Sequence, residues 1–134
     1  MNSTELLNEL SVRLGGGGLA LDEHKVCVVP IDRGQVTLHV AEAARAVQLA
    51  TVVGQVRPEC RDGLMLAGLI ANLDLIAQDG SSISLDTASD QVILSRNHRM
   101  GPLDAQGLLE SMRQLMGKSS LWREQLGHEQ MLVG

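Results

Sequence analysis

Residues 62–77 read DGLMLAGLIANLDLIA, and their apolar side chains fall on two sides of a helix. At about 100° per residue, Leu66, Leu69, Ile70, Leu73 and Ala77 share one stripe. Leu64, Gly68, Ala71 and Leu75 share the stripe behind it. A surface helix of a monomer needs only one apolar stripe. A helix with two, in a small domain, is buried on both sides. One side covers the domain's own sheet, and the simplest cover for the other is a second copy of the chain. Gly68 and Ala71 are small enough for two backbones to approach closely. The stripe Leu64, Gly68, Ala71 and Leu75 is therefore expected at the interface of a homodimer.

Before this helix, residues 25–31 read as a strand and 35–41 as its hairpin partner, with Asp32, Arg33 and Gly34 as turn formers. The second strand alternates: Val36, Leu38 and Val40 on one face, Thr37 and His39 on the other. Residues 47–56 read as a third strand, ended by Pro58. The stretch AEAARA at 41–46 is helix-like in composition but too short to hold a helix. Further upstream, residues 3–14 predict a helix with Leu6, Leu7, Leu10 and Leu14 on one stripe and Asn2 or Ser3 as its cap. The four glycines at 15–18 end it.

After the central helix come a turn at Asp79 and Gly80, strands at 82–86 and 91–97, and a last helix capped by Asp104. That helix runs to about 126, with Leu108, Met112, Leu115, Trp122 and Leu126 as its stripe. Residues 127–134 read as a flexible tail. The order α-β-β-β-α-β-β-α predicts an α+β fold, a twisted and largely antiparallel sheet with helices packed on it.

A chain of 134 residues reads as one domain, 1–134, with an ordered core over about 3–126. Its core must be aliphatic, since there is no Phe or Tyr and only one Trp. The same lack leaves little to stack on nucleic-acid bases. A net charge of -5 with 11 scattered basic residues also argues against a nucleic-acid binder. No run of about 18 apolar residues suggests a membrane span, and the polar start MNSTELLNEL does not resemble a signal peptide. Cys27 and Cys60 lack a framework spacing, so the expected setting is a reducing cytoplasm.

Motifs that carry chemistry are weak. Gly117-Lys118-Ser119 resembles the end of a phosphate-binding loop, but Met112 stands where the motif needs a glycine. The glycine run follows a helix and opens a strand, the reverse of a phosphate cradle. His24 and Cys27, with Cys60, do not make the four ligands of a structural zinc site. Asp22 and Glu23 fall in a surface turn, which cannot split a pair of carboxylate pKa values. No metal, no cofactor and no catalytic residue is expected, and the chain does not read as an enzyme.

What remains is apolar surface without an evident cover. Val26, Val28 and Val29 make the first strand apolar on both faces. Val52 and Ile93 add aliphatic groups to the second face of their strands. Two readings fit: a sandwich with both faces buried, or an exposed patch that binds protein.

Several blocks together resemble the class I type III secretion chaperones, the Tir chaperone family. Leu19-Ala20-Leu21-Asp22-Glu23 with Val26-Cys27 is similar to the family's entry to its first strand. Val52-Val53-Gly54-Gln55-Val56 resembles the end of its third strand, and Leu69-Ile70-Ala71-Asn72-Leu73 the core of its central helix. Ile83-Ser84-Leu85-Asp86 and Val92-Ile93-Leu94 resemble its last strands, and Leu103-Asp104 with Trp122 its last helix. The resemblance implies an acidic, cytoplasmic, bacterial homodimer with no cofactor, joined through the central helix. It implies binding of the N-terminal, non-globular segment of one or more secreted effectors, with hand-over to the secretion apparatus. The secretion ATPase or a regulator would be further partners. The family's effector patches involve the first helix and the sheet. They map to Leu6, Leu10, Leu14, Val26 and Val28, with Val52 and Ile93 added from the uncovered sheet face. A regulatory chaperone that sequesters a regulator of type III gene expression is the alternative. A small-ligand-binding α+β domain fits less well, because the histidines and carboxylates are scattered.

Overall fold

The structure is a computed structural model describing residues 2–134. In chain order the elements are α1 (Ser3–Arg13), β1 (Val26–Ile31), β2 (Gly34–Ala41), β3 (Ala46–Gln55), α2 (Arg61–Asp79), β4 (Ser81–Asp86), β5 (Gln91–Arg99) and α3 (Ala105–His128). A short 3-10 turn, Pro58–Cys60, leads into α2. This is the α+β order and the antiparallel sheet expected from the sequence.

The five strands pair antiparallel in the order β1-β2-β3-β5-β4. β3 and β4 therefore run parallel with β5 between them. A parallel pair cannot be joined by a hairpin, and α2 is the crossover that it needs.

Local chemistry sets the turns. Asp32 and Arg33 have φ of 49° and 67°, the left-handed pair that a two-residue hairpin requires. Arg45 and Asp90, at φ 49° and 58°, close the longer β2–β3 and β4–β5 turns. In the stretch 41–46, residues 42–45 are a turn and Ala41 and Ala46 pair as the ends of β2 and β3, so it is not a helix. Asn2 caps α1 by accepting from Glu5 N–H at 2.8 Å, and Asp104 caps α3 by accepting from Gly107 N–H at 2.7 Å. Gly80, at φ 76°, ends α2 in the left-handed conformation.

One face of the sheet is covered. Val29, Val36, Val47, Leu49, Val53 and Leu94 pack there with Leu10 of α1 and Leu108, Met112 and Leu115 of α3. The other face carries Val28, Thr37, His39, Gln48, Val52, Ser95 and Asn97, which are exposed or half-buried. The sandwich reading is excluded by that uncovered face.

The expected loose tail is a correction. Beyond α3 the chain turns back along β3. Leu132 bridges Val56, Arg57 N–H donates to Met131 O at 2.8 Å, and Val133 N–H donates to Gln55 O at 2.8 Å. Residues 131–133 find backbone partners because β2 does not extend that far along β3.

Candidate protein-binding surfaces

α2 buries one apolar stripe and leaves the other bare. Leu64, Gly68 and Leu75 face the β4 side and are buried, with Ala71 half-buried beside them. A Cβ at Gly68 would lie 2.9 Å from Ile83 Cγ2, so the glycine is what lets α2 approach β4. These residues were expected at the dimer contact, and the structure places them inside the protomer. The bare stripe is Met65, Leu66, Leu69, Ile70, Leu73 and Ile76, each between 48% and 78% exposed. Both stripes are apolar, and the bare one has the larger side chains. The need for close approach to a strand selects the one with the small residues.

α2 is pinned at both ends. Arg61 makes a bidentate pair with Asp90, Nε at 2.7 Å and Nη2 at 2.6 Å. Asp79, in the last turn, pairs with Lys118 of α3. Burial opposes ionisation of Asp79, but hydrogen bonds from Lys118 and Ser81 outweigh it and hold the carboxyl at about 2. Midway, the Asn72 carboxamide bonds the backbone of Ile83 in β4. Lys118, the lysine of the phosphate-loop look-alike, is thus the α3 member of a structural ion pair with α2.

The α1 residues also move inward relative to expectation. Leu6 and Leu10 are 3% and 0% exposed, packed in the core, and only Leu14 is half-buried. An amphipathic helix next to its own core buries its leucines there first. As folded, Leu6 and Leu10 are closed to a client.

The sheet residues fare differently. Val28 is 50% exposed and Val52 42%, while Val26 and Ile93 are half-buried. Register places Val52 opposite Ile93, and Val28 in line with Thr37 and Ala50, so the aliphatic groups form a track across an otherwise polar face. At the β1 edge, Asp22 closes Val26: Oδ1 accepts from Val26 N–H at 3.0 Å, and Asp22 N–H donates to Val26 O at 2.9 Å. The Val26 amide bond leads in holding the Asp22 carboxyl below its usual range. Pro30 has no N–H to offer. Alternation leaves the amide and carbonyl of Val28 facing outward.

Among the described residues, no three His, Cys, Asp or Glu side chains converge as metal ligands. Cys27 is a buried free thiol, its pKa pushed up by burial. His24 is exposed and pairs with Glu23 at 3.4 Å. His98 lies against Ser111 Oγ at 2.6 Å, and burial pushes its pKa down. Among the described residues no helix is long and apolar enough to cross a membrane.

Residues 5–123 match the family model of the Tir chaperone protein (CesT) family. The chain belongs to this family. Among curated protein sequences none matches it. The fold of this family member is similar to that of a chain in the HopA1–SchA chaperone–effector complex. Identity is 24% and the TM-score 0.75, over 90% of this chain and 92% of that one. A chain of the ExsC–ExsE complex gives 21% identity and a TM-score of 0.78, over 92% and 96%. The type III secretion chaperone SycH of Yersinia pestis, solved with a fragment of YscM2, gives 16% and 0.63, over 88% and 97%. At these identities the likeness speaks for the fold.

The α2 pins of this Tir chaperone family member have no signal in the sequence. Asn72 lies in the Leu69–Leu73 stretch, but its bonding depends on β4 lying beside α2. The pairing of Arg61 with Asp90 crosses 29 residues and has no local signal.

Proposed function

We propose that this protein is a non-enzymatic, homodimeric type III secretion chaperone. It binds the N-terminal, non-globular segment of a secreted effector, keeps it soluble and secretion-competent, and passes it to the secretion apparatus. Membership of the Tir chaperone family over residues 5–123 carries this reading. The uncovered apolar surfaces give it a physical form. The α2 stripe Met65, Leu66, Leu69, Ile70, Leu73 and Ile76 is the dimer contact, since this much contiguous apolar surface on a soluble domain marks an interface. The aliphatic track Val28, Val52 and Ile93, with Val26 and Leu14 beside the β1 edge, takes the apolar side chains of the client. Extended segments bind sheets in this way, through backbone bonds at an edge and side chains on a face.

Recovery of tagged protein from its native cytoplasm, with bound partners identified by mass spectrometry, tests the reading. A secreted protein held through a stretch near its N-terminus is the expected result. A regulator recovered without any effector moves the assignment to a regulatory chaperone. Recovery of no protein partner overturns both.

A further inference from the structure

The sheet ends on β1 at one side and on β4 at the other, and the two edges are closed by different means. An edge strand presents unpaired backbone groups that template pairing with another chain. β4 reads SSISLD, with no proline or lysine and no charge before its last residue. None of the common sequence devices protects it. Side chains from α2 take outward groups of Ser81 and Ile83 instead. Asn72 Oδ1 accepts from Ile83 N–H at 2.6 Å, and Asn72 Nδ2 donates to Ile83 O at 3.0 Å. These are the two bonds that one residue of a neighbouring antiparallel strand would make. On the same side, Asp79 Oδ1 accepts from Ser81 N–H at 2.9 Å. Alternation turns the groups of Leu85 the same way. There α2 leaves an apolar groove of about 250 Å³ between Leu64, Met65, Leu69 and Leu85.

We propose that Asn72 is an edge lock: its carboxamide stands in for one residue of a sixth strand and keeps β4 from pairing with an extended segment of another chain. An incoming client strand is thereby left the β1 edge, where Val28 is open; this last clause rests on the function proposed above. A residue that merely pinned α2 would change stability without creating a strand-binding edge.

The test uses the full chain and a fluorescent peptide copying β4, residues 81–86, with binding read by anisotropy. Asn72→Ala removes both bonds to Ile83. Asn72→Asp keeps the acceptor and nearly the same volume, and replaces the donor with a charged oxygen that faces Ile83 O. Both variants are expected to bind the peptide at least about tenfold more tightly than the wild type. Leu85→Pro, added to either variant, removes an outward N–H that β5 does not use, and is expected to reverse the gain. Asn72→Asp is the variant read if Asn72→Ala loses its circular dichroism signal. Peptide binding at the wild-type level in the folded variants overturns the proposal. So does a gain that Leu85→Pro leaves untouched. Unfolding of both variants assigns Asn72 to holding α2 and overturns it too. No client is present in the assay, so its failure leaves the chaperone reading standing, and failure of that reading leaves this result intact.

Discussion

At Gly68 the absence of a side chain sets how closely α2 approaches β4, with Ile83 Cγ2 2.9 Å from where a Cβ would lie. Gly68→Leu is expected to lower stability by about 1–3 kcal/mol, by overpacking. Denaturant unfolding checks this; a variant as stable as the wild type but monomeric would return Gly68 to the dimer contact. The small residues were legible in the sequence. Their neighbour was not, because a helical wheel gives the angle between side chains and not which side the sheet lies on. Asp79 gives a second residue-scale expectation. Its carboxyl titrates at about 2 in the fold against an ordinary 3.8, so the unfolded chain takes up the proton first. Its stabilisation is complete above pH 3.8 and is lost as pH falls through that value toward about 2. Asp79→Asn is expected to lower stability at pH 7 by on the order of 2 kcal/mol. The difference from wild type should vanish near pH 2, measured by denaturant midpoints across pH. A difference constant with pH would sink the assignment.

α2 carries the stripe proposed above as the dimer contact. Its bare stripe is a surface property, so a charge placed there should leave the protomer folded. Leu69→Glu is expected to convert a dimer to a folded monomer, since burying an unpaired carboxylate opposes association. Sedimentation with circular dichroism reads both parts; an unaltered dimer would place the interface elsewhere. α1 shows the opposite case. Its leucine stripe was expected to meet a client and instead closes the protomer's own core. Leu10→Ala is expected to destabilise by about 2–5 kcal/mol, as a core truncation does. A loss of client binding without loss of stability would contradict that placement. Periodicity marked both helices correctly as amphipathic or doubly apolar. It carried no information on whether a given stripe meets the same chain or another.

Over the whole molecule, one covered sheet face and one uncovered face follow from having three helices, with α1 and α3 packed on the same side. The C-terminal residues complete the covered side by pairing with the end of β3. Leu132 packs over Gly54, where a Cβ would lie 2.9 Å from Leu132 Cδ1, and Val56 beneath is fully buried. Leu132→Asp is expected to lower stability by about 1–3 kcal/mol, because a charge cannot share that contact. Thermal melting checks it, and a loose tail would show no change. The sequence by itself determined the element order, the antiparallel hairpins, the aliphatic core and the presence of surplus apolar surface. These depend on period, turn chemistry and composition, which are local. Only the tertiary structure decided which stripe of α2 faces β4, that Leu6 and Leu10 are core, that the tail pairs with β3, and that Asn72 meets Ile83. Each of these depends on which segments distant in the chain become neighbours. Strand order and helix placement set that adjacency, and neither is written in any single stretch.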